Sequence, residues 1–369
     1  MPQTRWTLDD AAAWRQRVGW RSGCNFTPST AGNQLEMWQD GSFDPATIER
    51  ELSWAADWGM NTVRVYLHDQ LYLREGERFL DKIDEFLSIA AGHGISMMPV
   101  LFDGVWNPAP AYGPQPEPQP RLHNSIWMQS PGRDFVYDES RWGELRPYVE
   151  AVIGRFASDE RVLAWDLFNE PDQVDVDTLA AGDRNTKARM VTKLVDTVFD
   201  WARSASPRQP LTVGLWEYDE HMRPVDNDLN RLVIERSDVI SFHCYEPRDK
   251  LEVLFNELSS HGRPLICTEW LARTNGSTAD LVDVMAARGV DAINWGLVDG
   301  RTQTRFPWRS WWEAVDDDEP WFHELIHRDG RPYDDCEKAV FQESRRLGSA
   351  MYPSPAAESP HKDSGNQYR

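Results

Sequence analysis

The chain has 369 residues and a formal net charge of −21, from 60 acidic and 39 basic side chains. Because a surface this acidic repels nucleic acid and anionic membranes, we expect neither as a partner. Hydrophobic residues make up 40% of the chain and charged residues 27%, which is ordinary for a soluble globular protein. The length allows a large core, either in one barrel or in two or three smaller domains.

The N-terminal sequence does not predict secretion. Residues 1–20 lack the apolar core and the cleavage site of a signal peptide. No apolar run approaches the roughly 20 residues that cross a bilayer. The sequence as it stands therefore predicts a cytoplasmic protein, unless a leader has been removed. The cysteines form no C-x-x-C pair, so free thiols are expected at Cys24, Cys244, Cys267 and Cys336.

In the first part of the chain, short apolar segments alternate with helical patterns. Strands are predicted at 21–26, 61–68 and 95–103. Residues 43–60 predict a helix, in which Asp44 suits the N-cap and Pro45 the first turn. The next helix is predicted by apolar residues spaced three and four apart, which are Leu80, Ile83, Phe86, Leu87 and Ala90.

The same alternation continues to the end of the chain. Further strands are predicted at 162–168, 211–216, 238–245, 264–270 and 291–298. Helices are predicted near 144–156, 186–203, 228–235, 250–259, 279–288 and 335–346. The strands are apolar on both faces, which is typical of a parallel sheet covered by helices. Eight such units predict a single closed (β/α)8 TIM barrel.

A doubly wound open sheet is the structural alternative. Such sheets usually bind nucleotides through a Gly-rich turn after the first strand, and the GCNFTPSTAG sequence here does not match one. We therefore expect one catalytic barrel domain over residues 1–350. Residues 351–369 have the composition of a disordered tail.

One connection, at 104–140 after the third strand, is unusually long and rich in proline. Loops of this length in compact domains are mostly functional or disordered. Trp106, His123, Asn124 and Trp127 give this loop side chains that suit a ligand. Two interpretations stay open, a wall or lid over a cleft and a plain surface excursion. As a wall, it would close one end of the cleft and favour action at chain ends.

Polar side chains collect where the predicted strands end, and this edge is the active face of a TIM barrel. In particular, the fourth and seventh strands both end on glutamate, at Glu170 and Glu269. Paired carboxyl groups can break a glycosidic bond, with one protonating the leaving oxygen and the other attacking the anomeric carbon. A separation of about 5–5.5 Å permits direct attack with retention of configuration.

The ordered motifs resemble those of the retaining glycoside hydrolases of clan A, the 4/7 superfamily, and most closely the family 5 cellulases and mannanases. The motifs are Asn-Glu-Pro at 169–171, CTEW at 267–270, VRVYL at 63–67, FHCY at 242–245 and NWG at 294–296. The resemblance covers roughly residues 19–300 and implies cleavage of β-linked glycosides or oligosaccharides of the glucan, mannan or xylan type. It implies no cofactor.

The resemblance also implies a role for each matching residue. Glu170 would be the general acid and later the base, and Glu269 the nucleophile, held ionised by Arg64. Asn169 would donate to the sugar 2-hydroxyl. Tyr245 would orient Glu269, His243 would hold the acid or the sugar, and Trp295 would form the floor under the sugar. Outside the matched motifs, the loop residues Trp106 and His123 and the strand-end residue Trp216 are further candidates for sugar binding. The chain lacks the histidine that many family members carry after the third strand, which His123 or Asp103 could replace.

Three other functions stay open. A metal-dependent barrel hydrolase could use His68, Asp103, His243 and Cys244, although no close ligand pair on a helix supports it. A carbohydrate-binding barrel without turnover would have no evident need of both glutamates. A transglycosylase would share every catalytic residue, since only access of the acceptor distinguishes it from a hydrolase.

Overall fold

The structure is a computed structural model that describes residues 4–173 and 184–353. Eight parallel strands form one sheet in the order β5-β4-β3-β2-β1-β8-β7-β6. They are β1 (Ser22–Asn25), β2 (Thr62–Tyr66), β3 (Ser96–Asp103), β4 (Trp165–Asn169), β5 (Leu211–Thr212), β6 (Ile240–His243), β7 (Leu265–Glu269) and β8 (Asp291–Trp295). This arrangement, with helices between the strands, confirms the predicted (β/α)8 TIM barrel.

The sheet closes between the segment after β5 and strand β6, which excludes the open-sheet alternative. The Leu215 N–H donates to the Ser241 carbonyl at 2.9 Å, and the His243 N–H donates to the Leu215 carbonyl at 2.8 Å. Strand β5 ends earlier than the predicted 211–216. At Gly214, an added Cβ would lie 3.0 Å from His243 Nε2, so glycine is what allows the imidazole to approach the backbone here.

Helices cover the outside of the barrel and one of its ends. They are α1 (Leu8–Val18), α2 (Gln34–Trp38), α3 (Pro45–Asp57), α4 (Asp69–Glu75), α5 (Glu77–Gly92), α6 (Arg133–Val136), α7 (Arg146–Phe156), α8 (Arg184–Ser204), α9 (Asp228–Arg236), α10 (Arg248–Ser259), α11 (Leu281–Arg288) and α12 (Asp335–Met351). The predicted cap of α3 is confirmed, since Asp44 accepts a hydrogen bond from the Thr47 N–H. Within residues 4–173 and 184–353, no helix is both long and apolar enough to cross a membrane.

The sequence did not predict α1, which packs against the end of the barrel where the strands begin. Its Trp14 is buried in a cluster with Met98, Ile266 and Ile293, which belong to β3, β7 and β8. Cys24, Cys244 and Cys267 are buried and Cys336 is exposed, all as free thiols, as predicted. Most of the predicted tail, residues 354–369, lies outside the described residues.

The proline-rich loop, residues 104–132, packs against the segment 299–323 that follows β8. The Asn124 N–H donates to the Thr302 carbonyl at 2.9 Å, and Arg301 pairs with Glu117 at 2.8 Å. The Trp311 indole donates to the His123 carbonyl at 2.8 Å. These contacts favour the wall interpretation over a plain surface excursion.

Candidate active site

Arg64, on β2, is the fixed positive charge of the site, and its side chain is fully buried. Its Nη1 lies 2.8 Å from Glu269 Oε1, and its Nε donates to Asp166 Oδ2 at 2.9 Å. Its Nη2 donates to Asn169 Oδ1 at 2.8 Å. The planar fork of the guanidinium can satisfy several acceptors at once, so Arg64 joins β2, β4 and β7.

Glu269 is held as an anion at the end of β7. The hydroxyl groups of Tyr66 and Tyr245 donate to its two carboxylate oxygens, each at 2.8 Å. Burial alone would raise the pKa of Glu269, but the charges of His243 and Arg64 and the two tyrosine hydrogen bonds outweigh it and lower the pKa. Glu269 is therefore ionised at neutral pH, as a nucleophile must be.

Glu170 lies at the end of β4 in a different environment. Its Oε1 is 2.7 Å from His243 Nδ1, and its Oε2 accepts a hydrogen bond from Gln173 at 3.1 Å. Burial raises the pKa of Glu170 and the negative charge of Glu269 adds to this rise, while His243 opposes it. The two glutamates therefore differ in the direction that an acid and a nucleophile require.

The backbone at Glu170 adopts an uncommon conformation, with φ of 39°. Beside it, the Gly104 N–H donates to the Asn169 carbonyl at 2.8 Å. An added Cβ at Gly104 would lie 2.3 Å from the Glu170 carbonyl oxygen, so only glycine fits there. Left-handed backbone at a non-glycine residue costs energy and is found disproportionately at functional sites.

The two carboxyl groups face each other across the mouth of the barrel. One oxygen of Glu170, one oxygen of Glu269 and one nitrogen of His243 all lie within 4.8 Å of one another. Oxygens this close are nearer to each other than the roughly 6.5–9.5 Å between the carboxyl groups of inverting enzymes, which favours the retaining geometry. The same three groups are metal-ligand types, but Arg64 already neutralises Glu269, and Glu170 is hydrogen-bonded to His243. Of the metal ligands considered from sequence, His68 instead lies 3.1 Å from Asp69.

Asn169 is held from both ends of its amide. Its Oδ1 accepts from Arg64, and its Nδ2 donates to Asp103 Oδ1 at 3.0 Å. Asp103 also accepts from the Trp127 indole at 2.6 Å and from Gln34 at 3.0 Å. Burial raises the pKa of Asp103 to about 7. Asp103 therefore positions the side chains of Asn169 and Trp127. It reaches both because it is the last residue of β3.

The three tryptophans expected to bind sugar, Trp295, Trp106 and Trp216, lie in three different environments. Trp295 lies edge-to-face with Tyr66 at 5.7 Å and with Trp127 at 5.9 Å, next to the glutamates' hydrogen-bond network. Trp106, in the proline-rich loop, stacks on Trp311 of the segment after β8, with 4.8 Å between ring centroids. The indole of Trp216 donates to Asp172 at 2.9 Å. The sugar contacts of all three stay predictions.

His123 is buried, and its Nδ1 lies 2.8 Å from the Phe306 carbonyl oxygen. Burial lowers the pKa of His123 to about 4, so its imidazole is neutral at neutral pH. Its ring packs 5.8 Å from Trp106 and 5.4 Å from His323. His123 thus joins the wall to the segment after β8, and its proposed contact with sugar stays a prediction.

Three residues that contact the site, Tyr66, Asp166 and Gln173, had no role predicted from the sequence. Tyr66 follows Arg64 by two positions, so the two side chains share one face of β2. This two-residue spacing could have identified Tyr66 as a site residue. Asp166 is the charged residue within an otherwise apolar strand, which is a signal of a buried ion pair. Gln173 follows the strand in a turn, and sequence alone gives no signal for its contact with Glu170.

The barrel and the facing glutamates define a class, a (β/α)8 protein with paired carboxyl groups at the ends of β4 and β7. A comparison with protein families matches residues 22–300 to the description "Cellulase (glycosyl hydrolase family 5)". The match covers well over half of the chain. The chain therefore belongs to glycosyl hydrolase family 5, as the motifs indicated.

A curated relative, "Probable mannan endo-1,4-beta-mannosidase A" from Aspergillus flavus, is 28% identical over 128 residues. That alignment covers 31% of this chain and 30% of the relative. Among solved structures, the endo-1,4-beta-mannanase from Rhizomucor miehei has a TM-score of 0.58 at 13% identity, covering 90% of this chain and 95% of its own. GH5_18 from Streptomyces cattleya, in complex with GlcNAc, has a TM-score of 0.59 at 16% identity, covering 91% and 82%. These structural likenesses concern the fold.

Proposed function

We propose that the protein is a retaining glycoside hydrolase that cleaves β-linked glycosides or oligosaccharides by double displacement. The observation that supports this most is the pairing of Glu170 and Glu269 within 4.8 Å, with their pKa values shifted in opposite directions. Family membership supports the same reaction.

In the first step, protonated Glu170 gives its proton to the glycosidic oxygen while Glu269 attacks the anomeric carbon. The bond to the leaving group breaks, and an ester forms between the sugar and Glu269. In the second step, ionised Glu170 takes a proton from water, whose oxygen attacks the same carbon and releases Glu269. Asn169 would donate the second hydrogen of its Nδ2 to the sugar 2-hydroxyl, since Arg64 and Asp103 already hold its amide.

We propose β-mannan-type oligosaccharides as the first substrates to examine, with β-glucan and xylan types next. The names of the relatives, mannan endo-1,4-β-mannosidase and endo-1,4-β-mannanase, support this order. Because the chain aligns with less than a third of that curated relative, its sugar has to be measured directly.

Azide rescue tests the two roles separately. With a 2,4-dinitrophenyl β-glycoside, which needs no acid catalysis, Glu170→Ala should form its intermediate and release a β-glycosyl azide when azide is added. Glu269→Ala should release the α-glycosyl azide, because azide then attacks in place of the missing nucleophile. Glu246→Ala is the matched control, since Glu246 is paired with Lys250 at 2.7 Å on the surface and should behave as wild type. The same azide anomer from both active-site variants would contradict the assignment.

A further inference from the structure

A cavity lies beside the glutamates, on the side of β1 and β8. Its lining includes Asn25, Tyr66, Trp295, Thr302, Thr304 and Glu324. Tyr66 also donates to Glu269, so the cavity and the proposed reaction centre share a side chain. Any sugar bound against Glu269 would therefore have this cavity next to it.

Glu324 is a third buried carboxyl group, and the proposed mechanism does not use it. It is 2% exposed and follows β8, beyond the 22–300 stretch that the family comparison matches. Its Oε1 accepts a hydrogen bond from the Thr304 hydroxyl. Its Oε2 is buried and has no hydrogen-bond partner in the described part of the chain. A buried polar atom without a partner is costly, so its retention calls for an explanation.

That oxygen packs directly against a glycine, Gly296. An added Cβ at Gly296 would lie 2.7 Å from Glu324 Oε2. Gly296 directly follows Trp295, the residue expected to form the floor under the sugar. Its φ of 79° also favours glycine. Gly296 and Glu324 both line the cavity, and a side chain at position 296 would displace the unpartnered oxygen.

We propose that Glu324 is a specificity-determining residue, which hydrogen-bonds through Oε2 to a hydroxyl group of the sugar held against Glu269. This inference rests on the proposed glycosidase function and adds a contact that selects among sugars. Thr304 already donates to Oε1, so Oε1 serves as the acceptor and a proton on Oε2 can be donated to the sugar. The pKa of Glu324 is raised to about 8 by burial, which keeps that proton in place at neutral pH.

The test measures kcat/KM of wild type and Glu324→Leu on 2,4-dinitrophenyl β-mannoside and β-glucoside. Monodeoxy analogues at each hydroxyl of the faster substrate complete the series. The leucine variant should lose about 10- to 100-fold on the parent glycoside. For one deoxy analogue the loss should shrink to about twofold, since that analogue lacks the hydroxyl that Glu324 binds. Equal losses on the parent and on every analogue would overturn the inference.

Glu51→Gln is the matched control. Glu51 is also a buried carboxyl with a pKa raised by burial, but both of its oxygens accept hydrogen bonds from Ser29. Its variant should change all substrates by the same factor. Absence of turnover by wild type on both parent glycosides would instead contradict the proposed function, and the inference would fall with it.

A second readout does not depend on the leucine variant's folding. In wild type, the ratio of kcat/KM between the parent glycoside and the deoxy analogue that lacks the bound hydroxyl should change above about pH 8, because ionised Glu324 can only accept a hydrogen bond from that hydroxyl. In Glu324→Gln, whose amide keeps an N–H donor, the ratio should stay flat. The charged groups that influence Glu324 are Asp299, Arg273 and Glu51. A ratio with the same pH dependence in both proteins would overturn the inference.

Discussion

Tyr245→Phe removes one hydrogen bond from Glu269 and leaves the rest of the site in place. The hydroxyl of Tyr245 donates to Glu269 Oε2 at 2.8 Å, while Tyr66 and Arg64 bind Oε1. This bond is one of the causes that lower the pKa of Glu269, after the charges of His243 and Arg64. Its loss should therefore raise that pKa and make the nucleophile harder to ionise.

The size of the effect follows from the charge of the acceptor. A hydrogen bond to an ionised group is worth roughly 1.5–3 kcal/mol. At about 1.4 kcal/mol per pH unit, the acid limb of the kcat/KM profile should move up by about 1–2 pH units. At neutral pH Glu269 should remain largely ionised, since Arg64 and Tyr66 still bind it, so kcat/KM should fall less there than at acid pH.

The assay is the pH dependence of kcat/KM on an activated β-glycoside, since this parameter reports the free enzyme's essential groups. Tyr148→Phe is the control, because the hydroxyl of Tyr148 is buried and donates to the Leu101 carbonyl at 2.8 Å, on the outside of the barrel. Its profile should coincide with that of wild type. An acid limb unmoved in Tyr245→Phe would refute the conclusion that this hydroxyl stabilises the ionised form of Glu269.

Three further predictions concern Arg64, Glu324 and the loop. Arg64→Met should lower the free energy of unfolding by about 3–5 kcal/mol, because it leaves buried Asp166 and Glu269 without their cation; a urea titration showing under 1 kcal/mol would contradict this. Glu324 has a raised pKa, so its stabilising contribution is complete below its ordinary pKa and is lost as pH rises through about 8. The unfolding free energy of Glu324→Gln minus that of wild type should therefore rise by up to about 5 kcal/mol between pH 4 and pH 9. A difference that does not change with pH would contradict the raised pKa of Glu324. Deleting 108–120 should widen the acceptance of long oligosaccharides, and an unchanged chain-length preference would refute the wall's role in closing the cleft.

The barrel was predictable because its strands are short, apolar on both faces and regularly spaced. The strand ends then placed Glu170 and Glu269 on one edge of the sheet, since parallel strands all point the same way. Their mutual distance and opposite pKa shifts were not predictable, because both depend on side chains from other strands.

Strand β5 shows where the apolar pattern misleads. Residues 211–216 look like one continuous strand, yet β5 ends at Thr212. The segment that follows passes close to His243 at Gly214, and that approach depends on a partner from β6. Local sequence holds no information on such a contact. Helix α1 was missed for a similar reason, because it buries only Ala11 and Trp14, and the contacts of Trp14 are with distant barrel residues.

Glu324 could not be predicted as a site residue from the sequence. It lies 28 positions after Gly296 in sequence, in a stretch without a regular pattern, and only folding brings its carboxyl to the glycine. A single glutamate in a loop is ordinarily solvated, so nothing in the sequence distinguishes buried Glu324 from exposed Glu313 in the same segment.

The most direct test of the account is capture of the covalent intermediate. The protein would be incubated with 2-deoxy-2-fluoro β-glycosides of mannose, glucose, xylose and galactose that carry a good leaving group, then digested for peptide mass spectrometry. We predict a fluoroglycosyl adduct on the peptide that contains Glu269, absent in Glu269→Gln, and the reacting sugar would identify the preferred glycoside. A folded protein that forms no adduct with any of these sugars, or one labelled at Glu170, would contradict the proposed mechanism.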